Sequence, residues 1–210
     1  MISKTLSITS AAVLIALSGA QAAEVDRGQQ VAVGLGLPAV RVSWEKQIGT
    51  AFRLGIEIAA EQLNRGENLS LTSVGIRLPV RWDVAKARTC ALSLDGSIGV
   101  RRLSGRLRTQ GIEPASTALS LQLEAGTRAR WAASDTTGVA AFAALGTDTV
   151  GLVSPQAGAA VDFSVAEAIA LGLEASSGRV LAPWSRPAVL GGERALWMPL
   201  ALLITLAFSF

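Results

Sequence analysis

Ten charged side chains sit at alternate positions within otherwise apolar stretches: Arg53, Glu57, Arg77, Arg81, Asp95, Arg101, Glu124, Arg128, Arg130 and Glu174. Two carboxylates such as Glu57 and Glu124 are the kind of pair that performs general acid–base work. Arginines interleaved with carboxylates can instead line a polar pore, or neutralise one another as a plug. Imidazole chemistry is excluded, because the 210-residue chain has no His. Ser–His and Cys–His nucleophiles and every His-ligated metal go with it. The single cysteine, Cys90, excludes an intramolecular disulfide and a Cys-cluster zinc site. Gly34-Leu35-Gly36 lacks the third glycine and the following helix of a dinucleotide loop. No catalytic residue, metal or cofactor is therefore expected, and the carboxylates are read as partners of nearby arginines. A net charge of +3, with no Lys/Arg block interleaved with aromatics, gives no reason to expect a nucleic-acid partner.

The elements that would position these charges follow from a period of two. Successive strand residues face opposite sides of a sheet, so one face is read at every second position. Phe52, Leu54, Ile56 and Ile58 alternate with Arg53, Gly55 and Glu57. Val74, Ile76, Leu78, Val80 and Trp82 alternate with Gly75, Arg77, Pro79 and Arg81. Leu92 to Val100 and Leu119 to Trp131 repeat the pattern, with Asp95, Arg101, Glu124, Arg128 and Arg130 on the polar parity. Ile169, Leu171 and Leu173 oppose Glu174, and the chain closes on Leu200, Leu202, Ile204, Leu206, Phe208 and Phe210. No charge falls on the apolar parity of these runs. A charged residue facing lipid at mid-depth costs about 2–4 kcal/mol, and a tilted strand crosses a bilayer in about 9–11 residues. Both the sparing of one face and the length of the runs fit strands in a membrane.

Residues 1–23 carry Lys4, an apolar centre from Ala11 to Leu17 and the small-x-small triplet Ala20-Gln21-Ala22. They read as an export signal peptide, leaving 24–210 as the mature unit. Eight strands are expected there, at about 29–45, 50–61, 70–83, 89–102, 117–131, 138–148, 162–175 and 197–210. The parity flip at Pro38 is read as a bulge within one long first strand. Residues 138–148 are too rich in Ala and Gly to orient.

The last ten residues resemble the C-terminal assembly signal of bacterial outer-membrane proteins. That signal has a terminal Phe with apolar residues at every second position before it, as Leu202, Ile204, Leu206, Phe208 and Phe210 stand here. With the signal peptide and the alternation, the chain resembles the small eight-stranded outer-membrane barrels, the class of OmpA's membrane domain and OmpX. The resemblance implies an all-β, eight-stranded antiparallel up-and-down transmembrane β-barrel. It also implies outer-membrane localisation and recognition by the barrel-assembly machinery during insertion.

With both termini in the periplasm, an eight-stranded reading puts Trp44, Trp82, Trp131 and Trp197 at the outer rim and Phe208 and Phe210 at the inner one, an aromatic girdle. The expected partners are outer-membrane lipids, with lipopolysaccharide phosphates facing Lys46, Lys86, Arg88, Arg179, Arg186 and Arg194; the barrel is read as a monomer. Eight strands enclose a narrow lumen, which favours the plug over the pore. The expected role is structural or surface-interacting rather than enzymatic. A narrow ion or small-solute channel is one alternative. A secreted lipocalin-like barrel that binds an apolar ligand is another, with the apolar parity turned inward.

Overall fold

The computed structural model describes residues 28–37, 39–65, 69–107, 115–184, 190 and 194–210, the side chains of 64, 65, 107, 115 and 199 excepted. The proposed signal peptide lies outside them. Ten strands follow one another: β1 (Gln29–Leu37), β2 (Ala39–Ile48), β3 (Phe52–Arg65), β4 (Leu69–Lys86), β5 (Cys90–Leu107), β6 (Ala115–Ala132), β7 (Thr137–Asp148), β8 (Val153–Ala166), β9 (Ile169–Leu181) and β10 (Ala195–Ser209). Each pairs antiparallel with its sequence neighbours, and β1 pairs with β10, so the sheet closes into an up-and-down barrel. Closure leaves no strand edge, which is what a sheet in hydrocarbon requires.

The expected count of eight is corrected to ten at two places. The stretch 29–45 is not one bulged strand. Leu35 pairs with Val40 and Val31 with Trp44, so the chain reverses between Leu37 and Ala39. A reversal that pairs odd with even positions, as Leu35 with Val40, flips parity just as a bulge does, and parity alone could not separate them. The second correction concerns 149–161, expected as a long turn, and 162–175, expected as one strand. β8 occupies most of the first stretch, and a two-residue turn at 167–168 separates it from β9. The outward parity of β8 is Val153, Pro155, Ala157, Ala159, Val161, Phe163 and Val165, free of charge but built from small residues that muted the signal.

Both termini lie at one end, here the terminal end, and the connections there span two to four residues: 49–51, 87–89, 133–136 and 167–168. At the other, distal end, thirteen residues separate Leu181 from Ala195 and seven separate Leu107 from Ala115, while the remaining three gaps between strands there are one, three and four residues. Short turns at one end and longer loops at the other are the usual outer-membrane arrangement. The extra first strand reverses the direction of those that follow it. Trp44, Trp82 and Trp131 therefore stand at the terminal end rather than the outer rim, beside Phe52, Phe163, Phe208 and Phe210. Phe52 and Trp82 stack with centroids 6.2 Å apart. Only Trp197 keeps its expected distal position. Lys46, Lys86 and Arg88 also move to the terminal end, while Arg179 and Arg194 are distal and Arg186 lies outside the described residues.

Two of the three inward arginines of β4 and β5 face a glycine, Arg77 opposite Gly99 and Arg101 opposite Gly75, while Arg81 stands opposite its ion-pair partner Asp95. A Cβ on Gly99 would stand 2.6 Å from the Arg77 Cβ and 2.5 Å from the Ile76 carbonyl oxygen. Gly96, on the outward face, would meet nothing nearer than 3.7 Å. Gly99→Val is accordingly expected to cost about 1–3 kcal/mol, measured as the urea midpoint of the folded band on unheated gels. Gly96→Val should leave that midpoint in place.

Candidate functional site: a charged lumen under an apolar cap

The wall is apolar outside and charged within. Leu78, Leu94 and Leu121 are 49%, 42% and 42% exposed, whereas Arg53, Glu57 and Glu174 are buried. A soluble ligand-binding barrel would have the opposite polarity, so the lipocalin-like alternative is overturned.

All ten sequence-predicted charges face the lumen, and the structure brings most of them into direct ion pairs. Arg77 donates from Nε to Glu57 Oε1 at 2.7 Å and from Nη1 to Glu124 Oε2 at 3.1 Å, tying β3, β4 and β6 together. Asp95 accepts from Arg81 Nε at 2.9 Å and from Arg128 Nε at 3.2 Å. Arg81 also lies 3.7 Å from Glu45. Arg130 Nη2 donates to Asp83 Oδ1 at 2.8 Å, where the Ser93 hydroxyl also donates at 2.6 Å. Arg101 Nη2 donates to Asp148 Oδ2 at 2.7 Å, and Arg41 Nη1 to Glu174 Oε1 at 3.0 Å. The Arg128 guanidinium also lies over the Phe142 ring, 4.7 Å from its centroid, which fixes the inward face of β7 that the sequence left open. Arg53 lines the same cavity as these groups. Each of these bridges joins different strands, so the charges act as struts across the barrel.

Sequence reasoning missed Arg41, Glu45, Glu61, Asp83, Asp148 and Asp162. Asp83 simply continues the Arg77–Pro79–Arg81 parity. Arg41 and Glu45 obey the rule once β2 is recognised as a strand of its own. Asp148 and Asp162 sit in the Ala- and Gly-rich strands, where the apolar parity is weakest. Among the described lumen residues, seven arginines (41, 53, 77, 81, 101, 128, 130) thus face nine carboxylates (45, 57, 61, 83, 95, 124, 148, 162, 174).

Toward the distal end the polarity inverts. On β5 the inward residues run Ser93, Asp95, Ser97, Gly99, Arg101 and then Leu103, while outward Val100 gives way to Arg102, Ser104 and Arg106. On β3, inward Glu61 is followed by Leu63, and on β4 Leu69 and Leu71 precede Ser73. Leu63, Leu71, Leu103, Leu152, Val180, Ala182 and Leu190 form one buried cluster, 0–2% exposed, against which Leu196 and Met198 pack. Asp148 ties the charged zone to this cap. One of its oxygens holds Arg101, and the other accepts from the amides of Val150 and Leu152 at 3.1 and 3.0 Å. Gly151, at φ +82°, allows that turn to close.

Within the charged zone a cavity of ≈ 80 Å³ remains, lined by groups that include Arg41, Arg81, Asp95, Arg128 and Gln156. That is room for a few waters, at ~10–15 Å³ each, and far below the ~300 Å³ at which small-molecule pockets begin.

A closed antiparallel cylinder, apolar where it would meet acyl chains and charged within, is a bacterial outer-membrane β-barrel, and its place is the outer membrane. No protein-family model and no curated protein matches the chain. Among solved structures it is similar to Neisserial surface protein A (11% identity, 87% of this chain and 93% of that one, TM-score 0.38). It is likewise similar to the KdgM porin (8% identity, 87% and 98%, TM-score 0.42) and to LpxR from Salmonella typhimurium (9% identity, 87% and 99%, TM-score 0.37). At such identities none of them lends this chain an activity.

Removing one partner of a buried ion pair strands the other, at about 3–5 kcal/mol, while replacing both by apolar groups costs far less. Asp83→Leu is therefore expected to lose about that much in urea unfolding. Asp83→Leu combined with Arg130→Met should recover more than half of the loss.

Proposed function

We propose that the chain is a sealed outer-membrane barrel with a structural or surface-interaction role and no catalytic or conducting activity. The observation that carries this reading is the polarity inversion. In the membrane zone the lumen is crossed by paired charges, and beyond it the bore is filled by leucines packed to 0–2% exposure. Paired charges in the one zone and packed leucines in the other oppose a continuous aqueous path, and Glu57 and Glu124, the carboxylates that could act as acid or base, are held by Arg77. Short turns put the terminal end in the periplasm, so the cap and the long connection 182–194 face outward. Exposed Trp184 lies in that connection and Trp197 just beyond it, where a loop-borne interaction would be sited. The outward-facing alternation of Leu202, Ile204, Leu206 and Phe208 supports reading the last strand as the signal for the assembly machinery.

Nitroxides at positions 78, 94 and 121 of the refolded full chain in vesicles should report lipid, and planar-bilayer recording should show no discrete conductance. Aqueous labels in folded material overturn the membrane reading. Stable unitary currents overturn the seal and favour a narrow channel.

A further inference from the structure

The charges on the outside of the barrel are unevenly placed. At the terminal end, exposed Lys46, Lys86 and Arg88 are mixed with exposed Asp135 and Glu167. At the distal end, Arg102 and Arg106 on β5 and Arg179 on β9 are exposed and outward, and no described carboxylate accompanies them. Glu61, Asp148 and Glu174, which lie at comparable positions along their strands, all point inward to other arginines. The outward neighbours are hydroxyls: Ser70, Thr72, Ser104, Thr117 and Ser177.

Depth fixes what this surface meets. Arg102 is the first outward residue after the apolar series Leu92, Leu94, Ile98 and Val100, and its cross-strand partners are the exposed Val74 and Leu119. Its stem thus lies at the edge of the lipid-facing belt, from which a guanidinium extends into the headgroup layer. Arg106 follows four residues on, roughly 13 Å farther along the strand. On the opposite side of the ring, the Arg179 guanidinium carbon lies over the Trp197 ring, 3.6 Å from its centroid. A guanidinium held over an indole ring engages it through its face, and its N–H donors point along its edge toward a second partner. A planar fork of donors so positioned matches phosphate oxygens.

We infer that Arg102 and Arg106 on one side of the ring, and Arg179 on the other, dock the phosphate-bearing headgroups of lipids in the leaflet at the distal end. This rests on the membrane reading above, and it names the partner that the barrel's outward face would select.

The test is spin-label lipid association with the full chain reconstituted in phosphatidylcholine vesicles, comparing chain-labelled phosphatidic acid with chain-labelled phosphatidylcholine. A preference for phosphatidic acid of about fivefold per engaged arginine is expected. It should shrink with added salt and fall toward one in the triple variant Arg102→Ser, Arg106→Ser, Arg179→Ser, whose gel migration must remain heat-modifiable. The triple variant Lys46→Ser, Lys86→Ser, Arg88→Ser should keep the preference. Loss only in that terminal-end variant overturns the assignment, as does an undiminished preference in the distal variant. Competition by millimolar inorganic phosphate would make the surface a free-phosphate site and equally overturn it. If no motionally restricted lipid is seen at all, the membrane reading itself fails. Restricted lipid without headgroup preference sinks only this inference.

Discussion

A guanidinium inside a narrow cylinder is tolerable only beside a carboxylate, because the desolvation of either charge alone outweighs any packing gain. That pairing requirement orders the rest of this barrel. It explains why Arg77 and Arg101 face glycines across β4 and β5, where a bulkier neighbour would drive them from their partners. The bridges run between strands rather than along them, since successive inward residues of one strand stand roughly 6.6 Å apart whereas residues on neighbouring strands stand roughly 5 Å apart. The pairing requirement also explains the outer face: with the charges committed inward, the outward positions of the membrane zone are free to be apolar.

Where the lipid ends, the same strands obey the opposite rule. Beyond Arg101 and Glu61 the interior is leucine and the exterior is arginine, serine and threonine. The protruding part is thus organised like an ordinary water-soluble barrel. The strand lengths agree. β1 and β2, at 9 and 10 residues, match a bare crossing, while β4, β5 and β6, at 18 residues each, exceed it and carry the cap.

Barrel class, the inward face of most strands and all ten named lumen charges were legible from parity, because lipid penalises every exception on the outward side. Strand number was not. Alternation records which way a side chain points, not which way the chain runs, so the reversal between Leu37 and Ala39 and a bulge leave the same trace. β8 escaped because alanine, glycine and proline are nearly neutral on both faces. The first of those gaps inverted the predicted end for Trp44, Trp82 and Trp131, although their outward orientation followed from the same alternation, and the second returned Trp197 to its expected end. The partners of the charges were beyond reach for a different reason. Arg77 with Glu124, or Arg101 with Asp148, meet across strands whose register no local pattern encodes.

One strut differs from the others. The bridges of Arg77, Arg81, Arg101, Arg128 and Arg130 all lie within the continuous run from β2 to β7, which could satisfy them as an open sheet. Arg41 and Glu174, 133 residues apart, reach over both β1 and β10 to find each other. Until the first and last strands zip together, these two ions have no such contact. The final stitch of the cylinder is therefore electrostatic as well as backbone-mediated, and the chain's two halves carry opposite terminals of a clasp that fastens only when the wall is whole.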